Sequence, residues 1–152
     1  SPEKGRLALA HGYDAVIEYR HEDVASRVAD LTRGRLCDTV FDAVGNDTWR
    51  GSLASLRPHG RFVSFGQASG PIEGFRISDL AQGSKSAIRP VIFDYLTTPG
   101  ELRERSAALF SRLLDGSLRT NPPASSPLRL AAETHRALET RATTGSTILI
   151  PD

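Results

Sequence analysis

The sequence alternates short β-rich runs with helical stretches, and this alternation restricts the fold more than any other feature. The β-rich runs span residues 14–19, 37–45 and 61–66 and the segment from Ala87 to Phe93. Stretches with helical periodicity separate them, so that one unit recurs after about 25 residues. Such a repeat is typical of a doubly wound parallel sheet with right-handed crossovers. We therefore predict an α/β fold.

The expected sheet is incomplete at its beginning. Ser1 and Pro2 suit the N-cap and the first turn of a helix. No GxGxxG-type loop precedes that helix, so the first βα unit of a Rossmann-like domain is missing. In the standard strand order 3-2-1-4-5-6, the missing strands would separate run 14–19 from run 37–45 and leave unpaired edges. Methionine is absent, which indicates a fragment or a processed chain.

A proline-rich segment divides the chain. Residues 99–114 form the longest amphipathic helical pattern, and residues 121–127 contain three prolines, which exclude a central strand or a helix interior. A helical stretch at 130–141 and a β-rich run at 147–150 close the sequence. We predict a partial Rossmann-like domain over residues 1–115 and a C-terminal segment, helix plus strand, over residues 116–152.

Composition excludes several classes of partner. The chain carries 19 Lys and Arg against 18 Asp and Glu, so no strong field favours nucleic acid or an anionic membrane. Its single cysteine, Cys37, permits neither an internal disulfide nor a cysteine-based zinc cluster. The four histidines have no paired carboxylate at a telling spacing, so we predict no metal site and name no general acid or base. We expect a small-molecule partner and a cytoplasmic location.

Three predicted strand ends carry residues that suit a ligand site. They are Tyr19-Arg20, Val44-Gly45-Asn46 and Phe65-Gly66-Gln67. Ligands of open α/β sheets bind at the carboxyl ends of the strands, where loops expose backbone N–H groups. Glycine permits close approach of a flat ligand, but turns at strand ends also need glycine for their own geometry. Both interpretations of the two glycines stay open from the sequence.

An ordered set of short segments resembles one family. It comprises Pro2-Glu3-Lys4, Val16-Ile17-Glu18-Tyr19-Arg20, Phe41-Asp42-Ala43-Val44-Gly45, Phe62-Val63-Ser64-Phe65-Gly66, Arg89-Pro90 and Arg141-Ala142-Thr143-Thr144-Gly145. At these spacings the chain resembles the cofactor domain of the zinc-free medium-chain quinone oxidoreductases, the zeta-crystallin-like branch. The resemblance implies that residues 1–115 belong to an NADPH-binding domain and that residues 116–152 return toward an absent N-terminal catalytic domain.

The resemblance also implies a set of cofactor-binding residues. Ser1, Lys4 and Tyr19 would lie beside the adenosine 2′-phosphate, which favours NADPH over NADH. Six residues would line the nicotinamide half: Val44, Gly45, Phe65, Gly66, Gln67 and Ser69. Arg141 and Gly145 would form a turn that closes over the cofactor. The chain departs from related sequences at Ala43, where serine is frequent, and at Ser146, where many have lysine.

The resemblance implies hydride transfer from NADPH to a quinone or a conjugated carbonyl compound in the parent enzyme. Because the missing strands leave unpaired edges, we expect the fragment alone to be inactive. The resemblance further implies a homodimer through the strand from Ala87 to Phe93, and we expect the protein to be bacterial. Two alternatives remain open. One is an enoyl or alkenal reductase of the same superfamily, and the other is a non-catalytic cofactor-binding or structural, crystallin-like module.

Overall fold

A computed structural model describes residues 2–19, 21–140 and 142–151. The chain divides into two compact units, and the division falls between Leu96 and Thr97. The predicted end of the cofactor domain after residue 115 stays a prediction. In the structure, the helix Pro99–Leu114 belongs to the second unit.

The first unit contains a three-stranded parallel sheet. Its strands are β1 (Cys37–Asp42), β2 (Leu56–Ser64) and β3 (Ser86–Ile88), in the order β1-β2-β3. At the carboxyl ends, Asp42 pairs with Ser64, and Val63 pairs with Ile88. Adjacent parallel strands with a helical crossover confirm the predicted α/β class.

Three α-helices accompany this sheet: α1 (Pro2–Ala10), α2 (Val24–Leu31) and α3 (Trp49–Ala54). Asp23 caps α2, because its carboxylate accepts a hydrogen bond from the Ser26 N–H at 2.8 Å. Short 3₁₀ helices follow at Ile77–Leu80 and Ile92–Tyr95.

The structure corrects three predicted boundaries. Residues 14–19 form no strand, and a lone β-rich run without a neighbouring strand has no ladder to join. The sequence pattern predicts a helix that starts near Asn46 or Asp47 and carries Trp49, Leu53 and Leu56, but this helix ends at Ala54 and Leu56 belongs to β2. The predicted strand from Ala87 to Phe93 ends at Ile88, since Pro90 has no N–H to donate and residues beyond it turn into a 3₁₀ helix.

The core of the first unit lies between α3 and the sheet. Trp49, Leu53, Leu56 and Phe62 are buried together, and the partly buried Phe75 meets Trp49 edge to face at 5.6 Å between ring centroids. This core holds α3 against the sheet. It thereby also fixes the loop that connects β1 to α3.

The second unit contains α4 (Pro99–Leu114), β4 (Ala124–Pro127), a 3₁₀ turn at Leu128–Leu130, α5 (Ala131–Glu139) and β5 (Thr147–Ile150). A capping box begins α4: the Thr98 hydroxyl accepts from the Glu101 N–H at 3.2 Å, and the Thr98 N–H donates to Glu101 at 3.0 Å. β4 and β5 pair in parallel as a two-stranded sheet, so Pro127 sits on an edge strand that tolerates it.

No helix in the part of the chain that the structure describes has the length and apolar character to cross a membrane.

Candidate functional site

Two loops follow neighbouring strands and lie at one edge of the sheet. The first loop, residues 43–48, continues from β1, and the second loop, residues 65–73, continues from β2. Because β1 and β2 are adjacent and parallel, both loops emerge at their carboxyl ends. This is the edge at which open α/β sheets bind ligands.

Hydrogen bonds join the two loops. The Ser69 N–H and the Ser69 hydroxyl both donate to the Val44 carbonyl at 2.8 Å. In the reverse direction, the Asp47 N–H donates to Ser69 Oγ at 3.0 Å, and the Asn46 N–H donates to the Gly70 carbonyl at 3.3 Å. The loops therefore form one bonded surface rather than two independent flaps.

The two glycines are required by this contact. Gly45 has φ +94°, and a Cβ there would stand 2.7 Å from the Gly70 carbonyl oxygen. A Cβ on Gly66 would meet the Ala43 backbone, with Cα at 2.8 Å and the carbonyl carbon at 2.9 Å. Loop geometry thus accounts for both glycines, and a ligand contact through either of them stays a prediction.

The buried carboxylate of Asp42 organises the first loop. It accepts backbone N–H bonds from Val44 at 2.8 Å and Gly45 at 2.9 Å. It also accepts hydroxyl bonds from Thr48 at 2.8 Å and Ser52 at 2.7 Å. Burial alone raises the pKa of Asp42, but the bonds from Ser52, Gly45, Thr48 and Val44 together hold that pKa below its ordinary value.

Sequence reasoning did not single out Asp42. The available signal was its position at the end of a strand, followed by glycine three residues later and threonine six residues later. Asp at such a position bonds nearby backbone N–H groups in the manner of an Asx turn. The spacing indicates local loop stabilisation but does not show that the carboxylate is buried.

Side chains beside the bonded loops offer both flat and polar contacts. Phe65 is 52% exposed and meets the exposed Phe41 ring edge to face, with centroids 6.5 Å apart. Gln67 borders an open groove of about 470 Å³ that Phe75 and Ile88 also line. Arg89 lies on the same groove and donates to the Ser64 carbonyl at 3.1 Å.

The structure brings together one part of the predicted site. Six residues lie in the two loops: Val44, Gly45, Phe65, Gly66, Gln67 and Ser69. Lys4 lies on α1, and Tyr19 lies on the segment that follows it, where both are exposed. Gly145 belongs to the second unit, with φ +72°, and Ser1 and Arg141 lie outside the described residues.

Comparison with known proteins shows the family. A family model described as "Zinc-binding dehydrogenase" matches residues 1–111. The chain belongs to the zinc-binding dehydrogenase family. Within residues 2–19, 21–140 and 142–151, no three His, Cys, Asp or Glu side chains come together to hold a metal ion. The expectation of a zinc-free member of this family stays a prediction.

Relatives in this dehydrogenase family confirm the resemblance to quinone oxidoreductases. The chain is 45% identical over 152 residues to a quinone oxidoreductase of Pseudomonas aeruginosa, covering 99% of this chain and 47% of that one. The crystal structure of Escherichia coli quinone oxidoreductase complexed with NADPH matches with a TM-score of 0.92 and 40% identity, covering 99% and 47%. The chain thus spans about half the length of both.

A third relative is named for a reductase activity other than quinone oxidoreduction. The 2-haloacrylate reductase of a Burkholderia species is 36% identical over 151 residues, covering 98% of this chain and 45% of that protein. Proteins similar to this chain over almost its whole length are therefore named both as quinone oxidoreductases and as a 2-haloacrylate reductase.

Proposed function

We propose that the protein carrying this chain is an NADPH-dependent quinone oxidoreductase. The observation that carries the proposal is the bonded pair of loops at the carboxyl ends of β1 and β2, in a chain that matches quinone oxidoreductases along almost its whole length. In open α/β sheets this edge is the place for a nucleotide.

The residues present fit such a cofactor. The bonded loops offer a rigid surface for a flat ring, with Phe65 and Gln67 accessible beside it. We assign Val44, Gly45, Phe65, Gly66, Gln67 and Ser69 to the nicotinamide half, Ser1, Lys4 and Tyr19 to the 2′-phosphate, and Arg141 and Gly145 to a closing turn. NADPH, when bound, supplies the hydride. The chain's own residues bind and orient it and exclude water from one side of the ring.

Two alternative functions differ from the quinone oxidoreductase, one in the compound that accepts the hydride and the other in the absence of catalysis. An enoyl-type reductase is favoured by the likeness to 2-haloacrylate reductase, since both reduce electron-poor conjugated compounds. A non-catalytic module would bind NADPH without oxidising it. Assays of the full-length protein with a quinone, with an enone and without acceptor separate the three, because each predicts a different set of productive acceptors.

Replacing Lys4 by alanine is expected to weaken NADPH binding about tenfold and to leave NADH binding unchanged. The reason is that an exposed ammonium in the first turn of α1 would pair with the 2′-phosphate, which NADH lacks. Fluorescence titration of both cofactors measures the difference. Arg6→Ala, which removes an exposed cation from the same helix, is the control. Equal losses for NADPH and NADH would contradict the assignment of Lys4.

We also propose a cytoplasmic homodimer that pairs through the sheet edge at β3. Exposed apolar side chains follow that edge strand, with Ile92 64% and Phe93 77% exposed. Phe93→Asp in the full-length protein is expected to shift a dimer to a monomer in light scattering, because the charge would be buried at the interface. Ile77→Asp, at an exposed residue of the same unit, is the control. A wild-type monomer would contradict the dimer.

A further inference from the structure

The carboxylate of Asp42 accepts hydrogen bonds from the first loop, and the proposed hydride transfer does not use this carboxylate directly. The residue is 4% exposed at the end of β1, where an ionised group is expensive unless several donors surround it. Two backbone N–H groups and two hydroxyls do so, at 2.7 to 2.9 Å. The arrangement therefore fixes the carboxylate and the groups that donate to it with respect to one another.

Val44 connects Asp42 to the second loop. Its N–H points to Asp42 at 2.8 Å, while its carbonyl accepts the N–H and the hydroxyl of Ser69 on the second loop, both at 2.8 Å. Since Asp42 also holds the Gly45 N–H at 2.9 Å, it sets the course of the chain that carries both groups. One carboxylate therefore holds the first loop in the conformation that bonds to the second.

We infer that Asp42 is a positioning residue for the nicotinamide half of the cofactor, acting through Val44 and Gly45 without touching the cofactor. The inference deepens the proposed function and rests on it. It concerns the nicotinamide half because the loops that Asp42 orders leave β1 and β2, whereas Lys4 and Tyr19 belong to α1 and the segment after it.

The test compares two ligands on the full-length protein. NADPH reaches both halves of the site, and 2′,5′-ADP carries the 2′-phosphate without the nicotinamide. Asp42→Ala is expected to weaken NADPH binding about tenfold or more, because the Val44 and Gly45 N–H groups lose the charged acceptor that holds the first loop. Binding of 2′,5′-ADP should stay unchanged. Asp42→Asn should recover most of the NADPH affinity, since its carbonyl oxygen can accept both N–H bonds and the Thr48 and Ser52 hydroxyls can reverse to accept.

Asp38→Ala is the matched control. Asp38 lies at the other end of β1, where its carboxylate binds the exposed Arg35 and Arg57 side chains. Its loss should leave both ligands unaffected. Should Asp42→Ala fail to fold, Thr48→Val is the test of the inference. Valine keeps the shape of threonine but lacks the hydroxyl that contacts both carboxylate oxygens of Asp42. This variant should bind NADPH about threefold more weakly and 2′,5′-ADP with unchanged affinity.

The outcomes separate the inference from the proposed function. Parallel losses of NADPH and 2′,5′-ADP binding in Asp42→Ala, or an unchanged NADPH affinity in Asp42→Ala and Thr48→Val, would overturn the role of Asp42 while the function stands. A folded wild-type protein that binds neither ligand would overturn the proposed function and, with it, this inference.

Discussion

Replacing Gly66 by alanine is expected to weaken NADPH binding on the order of a hundredfold, equivalent to about 3 kcal/mol. The added Cβ would fall within 2.8 Å of the Ala43 Cα and 2.9 Å of its carbonyl carbon. These are backbone atoms at the end of β1 and cannot rotate away as a side chain can. The two loops must therefore separate, and the surface proposed for the cofactor is lost.

Gly51→Ala is the control for Gly66→Ala. Gly51 lies in α3, and a Cβ there meets nothing within 4 Å. The substitution should leave NADPH binding unchanged and stabilise the helix by up to about 1 kcal/mol, because alanine has the higher helix propensity. Calorimetric titration of both variants in the full-length protein gives the comparison. Equal NADPH affinity of Gly66→Ala and wild type would contradict the close contact between the loops.

Leu56→Ala is expected to lower the free energy of unfolding by about 3 kcal/mol, within the range of roughly 2–5 kcal/mol for truncating a buried leucine. Leu56 is 1% exposed and packs with Trp49, Leu53 and Phe62, which hold α3 against the sheet. The truncation leaves a cavity beneath the start of β2. Urea unfolding followed by tryptophan fluorescence reports on it directly, because Trp49 is the single tryptophan of this chain.

Ile77→Ala separates core packing from loss of apolar surface in general. Ile77 is 81% exposed in a short 3₁₀ helix of the same unit. Its truncation should change the free energy of unfolding by no more than about 0.5 kcal/mol. A loss as large as that of Leu56→Ala would show that the cluster around Trp49 is not the main core.

Local signals in the sequence predicted much of the fold. Helix α4 begins and ends where the pattern places it, because Thr98, Pro99 and Glu101 form a start signal that is independent of the rest of the chain. The alternation of β-rich and helical runs likewise predicted parallel strands joined by a helix. The prediction of a strand at residues 14–19 was wrong, because a strand needs a neighbouring strand to pair with and local composition does not show whether one is present.

The candidate site was predicted less completely, since its geometry depends on contacts between distant residues. The sequence marked the ends of β1 and β2 through Gly45 and Gly66, but the bond from Ser69 to Val44 joins residues 25 positions apart. No periodicity or turn rule indicates such a bond. The role of Asp42 was not predicted, because its burial follows from the packing of α3 against the sheet and not from its neighbours in sequence.

The most direct test of the account is NADPH oxidation by the full-length protein, followed by absorbance with and without a simple benzoquinone. We expect oxidation that requires the quinone and that proceeds with a higher kcat/KM for NADPH than for NADH. Folded protein that binds NADPH but oxidises none of it with the quinone would contradict the proposed quinone oxidoreductase.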